Sequence, residues 1–248
     1  MDPSRVGLNA KTSADFLSAA GVQAAYLQLS SVVLQGAAII GGKANSSAAT
    51  AALYLSLVKS LAAEVVRVQP AVGSARRRLL ATTLALTDAT TIASILTSAS
   101  ASAVASGAVP AASAPTAASI SAVATAVASL NTAIAAVTAG GLTSSTAFLN
   151  AITALNNIAY VSSTTLLASV SALASGTLSL ADFNTATSAT ALATLIASTD
   201  VRTINAALYC AYLTSATNDA GVTTSNSYST LCLPATSSSA SAPAEDRF

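Results

Sequence analysis

Few residues in this chain are of a type that could do chemistry, and their spacing decides how each is read. Residues Gly36 to Lys43 approach a phosphate-binding loop, Gly-x-x-x-x-Gly followed by Lys. In such a loop the backbone N–H groups cradle phosphate and the Lys reaches its outer oxygens. Here Gly42 separates Gly41 from Lys43, and Ala44 stands where a Ser or Thr should hold the metal. No strand clearly precedes the segment, so Gly41-Gly42 reads instead as the stop of a helix. Ser56-Leu57-Val58-Lys59 matches the Ser-x-x-Lys of serine acyl-transferring enzymes, where the Lys one turn away activates the nucleophile. With 37 Ser residues such a match arises readily by chance, and the partner motifs Ser-Asp-Asn and Lys-Thr-Gly are absent. Both residues read as polar positions on the outer face of a helix.

The rest of the titratable set is sparse. There is no His, which removes the commonest general base and metal ligand. The nine acidic residues are scattered, and the one adjacent pair is Glu245-Asp246 near the C-terminus. No enzyme activity, cofactor or metal is expected. Cys210 and Cys232 allow one internal disulfide, expected if the protein is extracellular. Asn45-Ser46-Ser47 is a glycosylation sequon, with Asn45 as the acceptor. Arg76-Arg77-Arg78 is the one basic cluster. It reads as a solvated loop that could dock a glycan or an anionic surface, or serve as a protease site.

The surrounding composition is unusual. Of 248 residues, 61 are Ala, 37 Ser and 30 Thr, so the surface must be built from hydroxyls and methyls rather than ions. No charged side chain occurs between Ala89 and Ala181, and the net charge of +1 gives no steering toward nucleic acid. The mean hydropathy of +0.66 points toward membrane, but Ala inflates it. Phe16 to Gly42 is the best candidate span. Its Gln23, Gln28, Gln35, Ser30 and Ser31 would each need a partner in hydrocarbon, so a membrane span is the minority reading.

Helix punctuation is regular. Thr12 to Asp15 opens a first helix that runs to Gly41-Gly42, with a break expected near Gly36. Asn45 or Ser46 caps a second, ending before Pro70. Asp88 caps a third that stops at Gly107. Pro115 suits the first turn of a fourth, ended by Gly140-Gly141. Thr143 or Ser144 opens a fifth to about Tyr160. A sixth runs from Ser163 to Gly176, and Ser179 opens a seventh to about Ser198. A further helix is expected from Val201 to Leu213.

Apolar residues follow helical spacing within these segments. Ile120, Val123, Val127, Leu130, Ile134 and Val137 form a narrow seam, as do Phe148, Ile152 and Leu155, and Leu166, Val170 and Leu173. In the second helix the seam reads as Leu55, Val58, Leu61 or Ala62, and Val65. The expected fold is all-α, an Ala-rich bundle of about seven helices. Ala permits close approach of the helix axes, and each helix is marginal alone. Val65 to Val68 and Ala81 to Leu86 flank the triple Arg and read equally as a short β-hairpin or as a helix end and an extended lead-in. The expected organisation is a helical part over residues 10–72, an exposed loop or hairpin over 73–87, and a second helical part over 88–213. A Cys-containing loop and Ser/Ala/Pro tail would occupy 214–248.

Residues Val68 to Thr82, with the Arg-Arg-Leu-Leu run at Arg77 to Leu80, resemble a segment of large secreted or cell-surface proteins of green algae. In those, such a run sits between Ala/Ser/Thr-rich stretches. Gly176 to Phe183 and the Ala-rich helices around it have the same character, so the resemblance spans roughly residues 10 to 200. It implies an extracellular or surface location and a structural or adhesive role, and it carries over no catalytic residues. Met1 to Arg5 show no basic stretch leading into an apolar core, so an exported chain would have to be an internal piece of a longer one. Two functions from different classes follow as expectations. One is a structural or interaction module whose partners are neighbouring domains or further copies. The other is a helical carrier of a small apolar ligand, with a membrane-embedded bundle third.

The triple Arg generates a direct test. Like charges at consecutive positions resist burial, and Gly73 and Ser74 precede them. Limited trypsin digestion of the native protein is expected to cut first at Arg76 to Arg78, leaving associated fragments; first cutting at Lys43 or Arg202 would show the cluster protected.

Overall fold

In the computed structural model, residues 13–42, 47–68 and 85–204 are described. They are mostly helical, and no strand occurs among them. In chain order the helices are α1 (Ser13–Gly41), α2 (Ser47–Val68) and α3 (Ala89–Ala105), then a short 3-10 turn (Ala111–Ser113). After it come α4 (Ala117–Ala139), α5 (Ser145–Val161), a π-helical segment (Ser162–Leu166) and α6 (Leu167–Ser175). Two short helices follow, α7 (Leu180–Ala186) and α8 (Ala189–Ser198). These belong to a unit that ends at Thr199; α9 (Val201–Ile204) lies in a second unit that begins at Asp200.

The starts follow from side-chain caps. Asp88 accepts from the N–H groups of Thr90 at 3.2 Å and Thr91 at 2.9 Å. Thr116 accepts from Ser119 N–H, Ser144 from Ala147 N–H, and Ser179 from Asp182 N–H, each at 3.1 Å. Asp88 satisfies two of the orphan donors of its first turn, and each of the other three caps satisfies one. The hydroxyl and N–H of Thr91 and the N–H of Thr90 hold the Asp88 carboxyl below the usual carboxylate range. Its cap is therefore strongest above pH about 4 and is lost as pH falls through the lowered value. At the other end, Gly176 adopts φ +77°, a left-handed C-cap that closes α6.

The ends differ from the sequence reading in informative ways. α1 passes through Gly36 without a break. The expected fifth and sixth helices are one run, because no Gly or Pro lies between Ser145 and Ser175. The serine-threonine stretch at the join is absorbed as the π segment instead. Ser163 and Thr164 donate back to the carbonyl of Tyr160. The expected seventh helix divides, because Ser188 accepts from Ala191 N–H and starts α8 afresh. Pro115 precedes the cap Thr116 rather than sitting in the first turn. Val65 to Val68 are the last residues of α2, which removes one flank of the suggested hairpin; the other lies largely outside the described residues.

α1 is the axis of the bundle and packs on α2, α3, α4, α5 and α6, while α4 packs on α1, α3, α5, α7 and α8. The α4 seam is buried as read, from Ile120 to Ile134, and so are Ala124, Ala126, Ala128 and Asn131. One narrow seam does not describe a helix enclosed on several sides. The seam of α2 is the clear error. Leu55 and Val58 are each 54% exposed and Val65 is 42% exposed, whereas Leu53 and Leu57 face the core; of the two residues offered at the third position of the seam, Leu61 is buried and Ala62 exposed. The reason lies in α1. A Cβ on Gly36 would stand 2.7 Å from methyl groups of both Leu57 and Leu96, and one on Gly41 would stand 2.9 Å from a methyl of Leu53. The two glycines leave room for the leucines of α2 to reach the axis.

Gly42 is tighter still, for a Cβ there would lie 2.3 Å from that of Ala174 in α6. Gly21, within α1, has open space around it. Gly42→Ala is expected to destabilise by about 1–3 kcal/mol, because one backbone must move. Gly21→Ala should stabilise by about 0.5–1 kcal/mol through helix propensity. Urea unfolding followed by circular dichroism checks both, and equal effects of the two substitutions would refute the packing described.

Candidate interaction surface

The structure places the sequence-predicted residues unevenly. Asn45, Arg76, Arg77, Arg78, Cys210 and Cys232 lie outside the described residues, as does most of the helix expected from Val201 to Leu213. Gly36 and Gly41 lie within α1, so their spacing serves helix packing rather than a phosphate loop. Ser56 and Lys59 are both on α2, but they do not share the outer face. Ser56 is buried, and its hydroxyl donates to the carbonyl of Ala52 at 2.9 Å, whereas Lys59 is exposed. The proton of that hydroxyl is thus committed to its own helix.

Polar chemistry that the sequence reading missed lies in the interior. Gln35 of α1 is fully buried, and its Nε2 donates to the carbonyl of Ser162 at 2.8 Å. That carbonyl also accepts the N–H of Leu167, the wide turn of the π segment. Ser31 and Ser162 share a hydroxyl contact at 3.3 Å one turn away. On the α4 side, Gln28 donates to the carbonyl of Asn131 at 3.0 Å, and Asn131 Nδ2 donates to the carbonyl of Leu86 at 2.8 Å. These bonds fix α1 against the α5–α6 join and pin the lead-in of α3 onto α4. The same glutamines that counted against a membrane span are thus partly satisfied inside the bundle. The signal available in the sequence was their spacing, since Gln28, Ser31 and Gln35 fall on one helical face. The Oε1 of Gln35 and the Oδ1 of Asn131 have no hydrogen-bond partner, a cost borne by the interior.

The surface has two further features. A groove of about 450 Å³ runs between α2 and α3, lined by Lys59, Ser60, Ala63, Glu64, Ser94, Ile95, Ser98 and Ser102. Beside it, α2 turns Ala51, Leu55, Val58, Ala62 and Val65 outward along one stripe, all of them exposed. Tyr54 flanks the stripe at 39% exposure, and α1 adds an outward Val22, Tyr26 and Leu29. Elsewhere hydroxyls dominate: on α4, Thr125, Ser129 and Thr132 donate to the carbonyls of Ser121, Thr125 and Ala128. The apolar stripe of α2 stands out against this background.

The buried amide yields the sharper stability test. Gln35→Ala removes the Nε2 bond and leaves a cavity, so it is expected to cost about 2–4 kcal/mol. Gln35→Met keeps the volume and removes the orphaned Oε1, and should cost less than about 1.5 kcal/mol. Denaturant unfolding of the two variants distinguishes them; equal losses would mean that the amide itself is indispensable. Comparison of the chain with family models, with curated proteins and with solved structures gives no match.

Proposed function

We propose that the chain is a structural and interaction module that acts by presenting the outward stripe of α2. The observation that carries this reading is the exposure of Leu55, Val58 and Val65 on a helix whose opposite face is already seated on α1 and α3. A helix buried on one side and apolar on the other has a second partner to meet. The resemblance around Arg76 to Leu80 supplies the setting, a larger extracellular or cell-surface protein, in which neighbouring domains or further copies are the partners. A glycan or anionic surface would be met through the triple Arg. No catalytic residue, cofactor or nucleic-acid partner is assigned.

A second reading is favoured by one specific observation. The segments Leu17–Gly41, Ala117–Ala139 and Thr146–Ser175 are each long and apolar enough to cross a membrane. They correspond to α1, α4 and the α5–α6 run, which pack on one another, as a membrane-embedded bundle would require. The carrier reading has less behind it: the groove between α2 and α3 is lined by Ser side chains, Lys59 and Glu64, which suit an apolar ligand poorly.

The test is a triple substitution, Leu55→Ser, Val58→Ser and Val65→Ser, in the full chain. Because these side chains are exposed, the helical circular dichroism should be unchanged and Tm should stay within a few degrees. Binding of a hydrophobic dye such as bis-ANS to the native protein should fall at least severalfold. Unchanged dye binding, or collapse of the fold, would show that the stripe is not a free surface and would overturn the reading.

A further inference from the structure

The groove between α2 and α3 has a chemistry of its own, separate from the outward stripe of α2. Ser94, Ser98 and Ser102 of α3 line one wall, and Ser60 and Glu64 of α2 line the other, with the exposed Lys59 beside them. The serines of α3 recur every fourth residue, so their hydroxyls form a row along one edge of the helix. Neighbours in the row are about 6 Å apart and its whole length is about 12 Å.

A hydroxyl on a helix can donate to the carbonyl one turn back. Ser56 does so to Ala52, and Thr125, Ser129 and Thr132 do so on α4. Among the described residues, none bonds the hydroxyl of Ser60, Ser94, Ser98 or Ser102. Ser60 matters most, because it is only 8% exposed and what exposure it has lies on the groove. A nearly buried hydroxyl is costly to leave unbonded, and a group seated in the groove would bond it.

The charges select the class of ligand. Lys59 and Glu64 set one cation and one carboxylate on the same groove, so it has no net charge to draw an ion. An anion would meet Glu64, a cation would meet Lys59, and an apolar molecule would leave the serines unpaired. A sugar suits all three, since its hydroxyls both give and take hydrogen bonds. Lys59 donates to hydroxyl or ether oxygens and Glu64 accepts from hydroxyls, and bonds to charged groups are the stronger kind. Ala63 and Ile95 supply a small apolar patch for the C–H face of a ring. The volume, about 450 Å³, is that of a small-molecule site. We propose that this groove binds a short neutral oligosaccharide laid along the serine row. The exposed serines leave one side of the ligand in water, so binding is weak, with a Kd of about 1 mM.

The experiment is an amide NMR titration of the full chain with maltotriose, cellotriose and mannotriose, each to about 10 mM. At least one sugar should give saturable shifts, centred on α2 around Ser60 and on α3 from Ser94 to Ser102. The double variant Ser94→Ala with Ser98→Ala removes two exposed hydroxyls and keeps α3 helical, because Ala is the better helix former. Its affinity should fall about tenfold. The triple substitution of Leu55, Val58 and Val65 by Ser should leave sugar binding unchanged, which separates this site from the stripe. No saturable shift with any of the three sugars, shifts centred on the stripe, or full affinity in the double variant overturns the proposal. So does a response to trigalacturonate without one to the neutral sugars, which would make the groove an anion site at Lys59.

Discussion

The structure depends on how closely other helices can approach α1. Five helices pack on it, and α2 and α6 do so at glycines: Gly36 and Gly41 receive leucines of α2, and Gly42 meets Ala174 of α6. A chain with so few large side chains gains little from any one contact, so the contacts have to be numerous and short. Small residues on the axis allow this, since dispersion attraction falls off over a fraction of an ångström. Ala supplies the same economy in α4, where Ala124, Ala126 and Ala128 are buried beside the larger seam residues. Closeness comes with reduced apolar burial per residue, and the interior makes up for part of it with hydrogen bonds between elements.

Those bonds tie together the fold and the surface. Gln28 and Gln35 reach backbone carbonyls of α4 and of the π segment, so α1 is held by direction as well as by shape. An apolar contact between smooth Ala faces tolerates sliding; a side-chain amide aimed at one carbonyl does not. With α1 fixed in register, Gly36 meets Leu57 and Gly41 meets Leu53, which decides the rotation of α2. The rotation of α2 in turn decides which of its two apolar stripes is left facing outward.

Much of the architecture was legible in the residues, for reasons that are local. Asp88, Ser144 and Ser179 announce helix starts because a hydroxyl or carboxylate next to free N–H groups has one obvious use. The α4 seam was legible because Ile, Val and Leu stand out against Ala and Ser. The facing of α2 was not. Leu53, Leu57 and Leu61 alternate with Ser56, Ser60 and Glu64 on the buried side, while Leu55, Val58 and Val65 stand on a cleaner stripe outside. Periodicity finds the cleaner stripe, but burial was decided by glycines in a different helix. The break of the seventh helix was missed because Ser188 looks like any other Ser until its neighbour Thr187 turns out to end a helix. The polar interior was hidden for the opposite reason, because a Gln in an Ala-rich helix is ordinarily assigned to solvent.

The π segment has a consequence for how this chain can change length. A wide turn is what an α-helix becomes when it accommodates one surplus residue without breaking. Beyond it, Leu166, Val170 and Leu173 present their faces to the core with that surplus already counted. Loss of one residue between 162 and 166 would remove that surplus, restore plain α geometry and leave the downstream faces where they are. Loss of one residue from the α-helical turns before it would instead swing everything downstream by about 100° about the helix axis. The inward leucines would rotate toward solvent, and the small face that admits Gly42 beside Ala174 would turn away. The π segment is therefore where the long α5–α6 run can lose a residue with local effects, as loops such as 106–116 can; in the turns before it a single deletion acts like a frameshift of the surface.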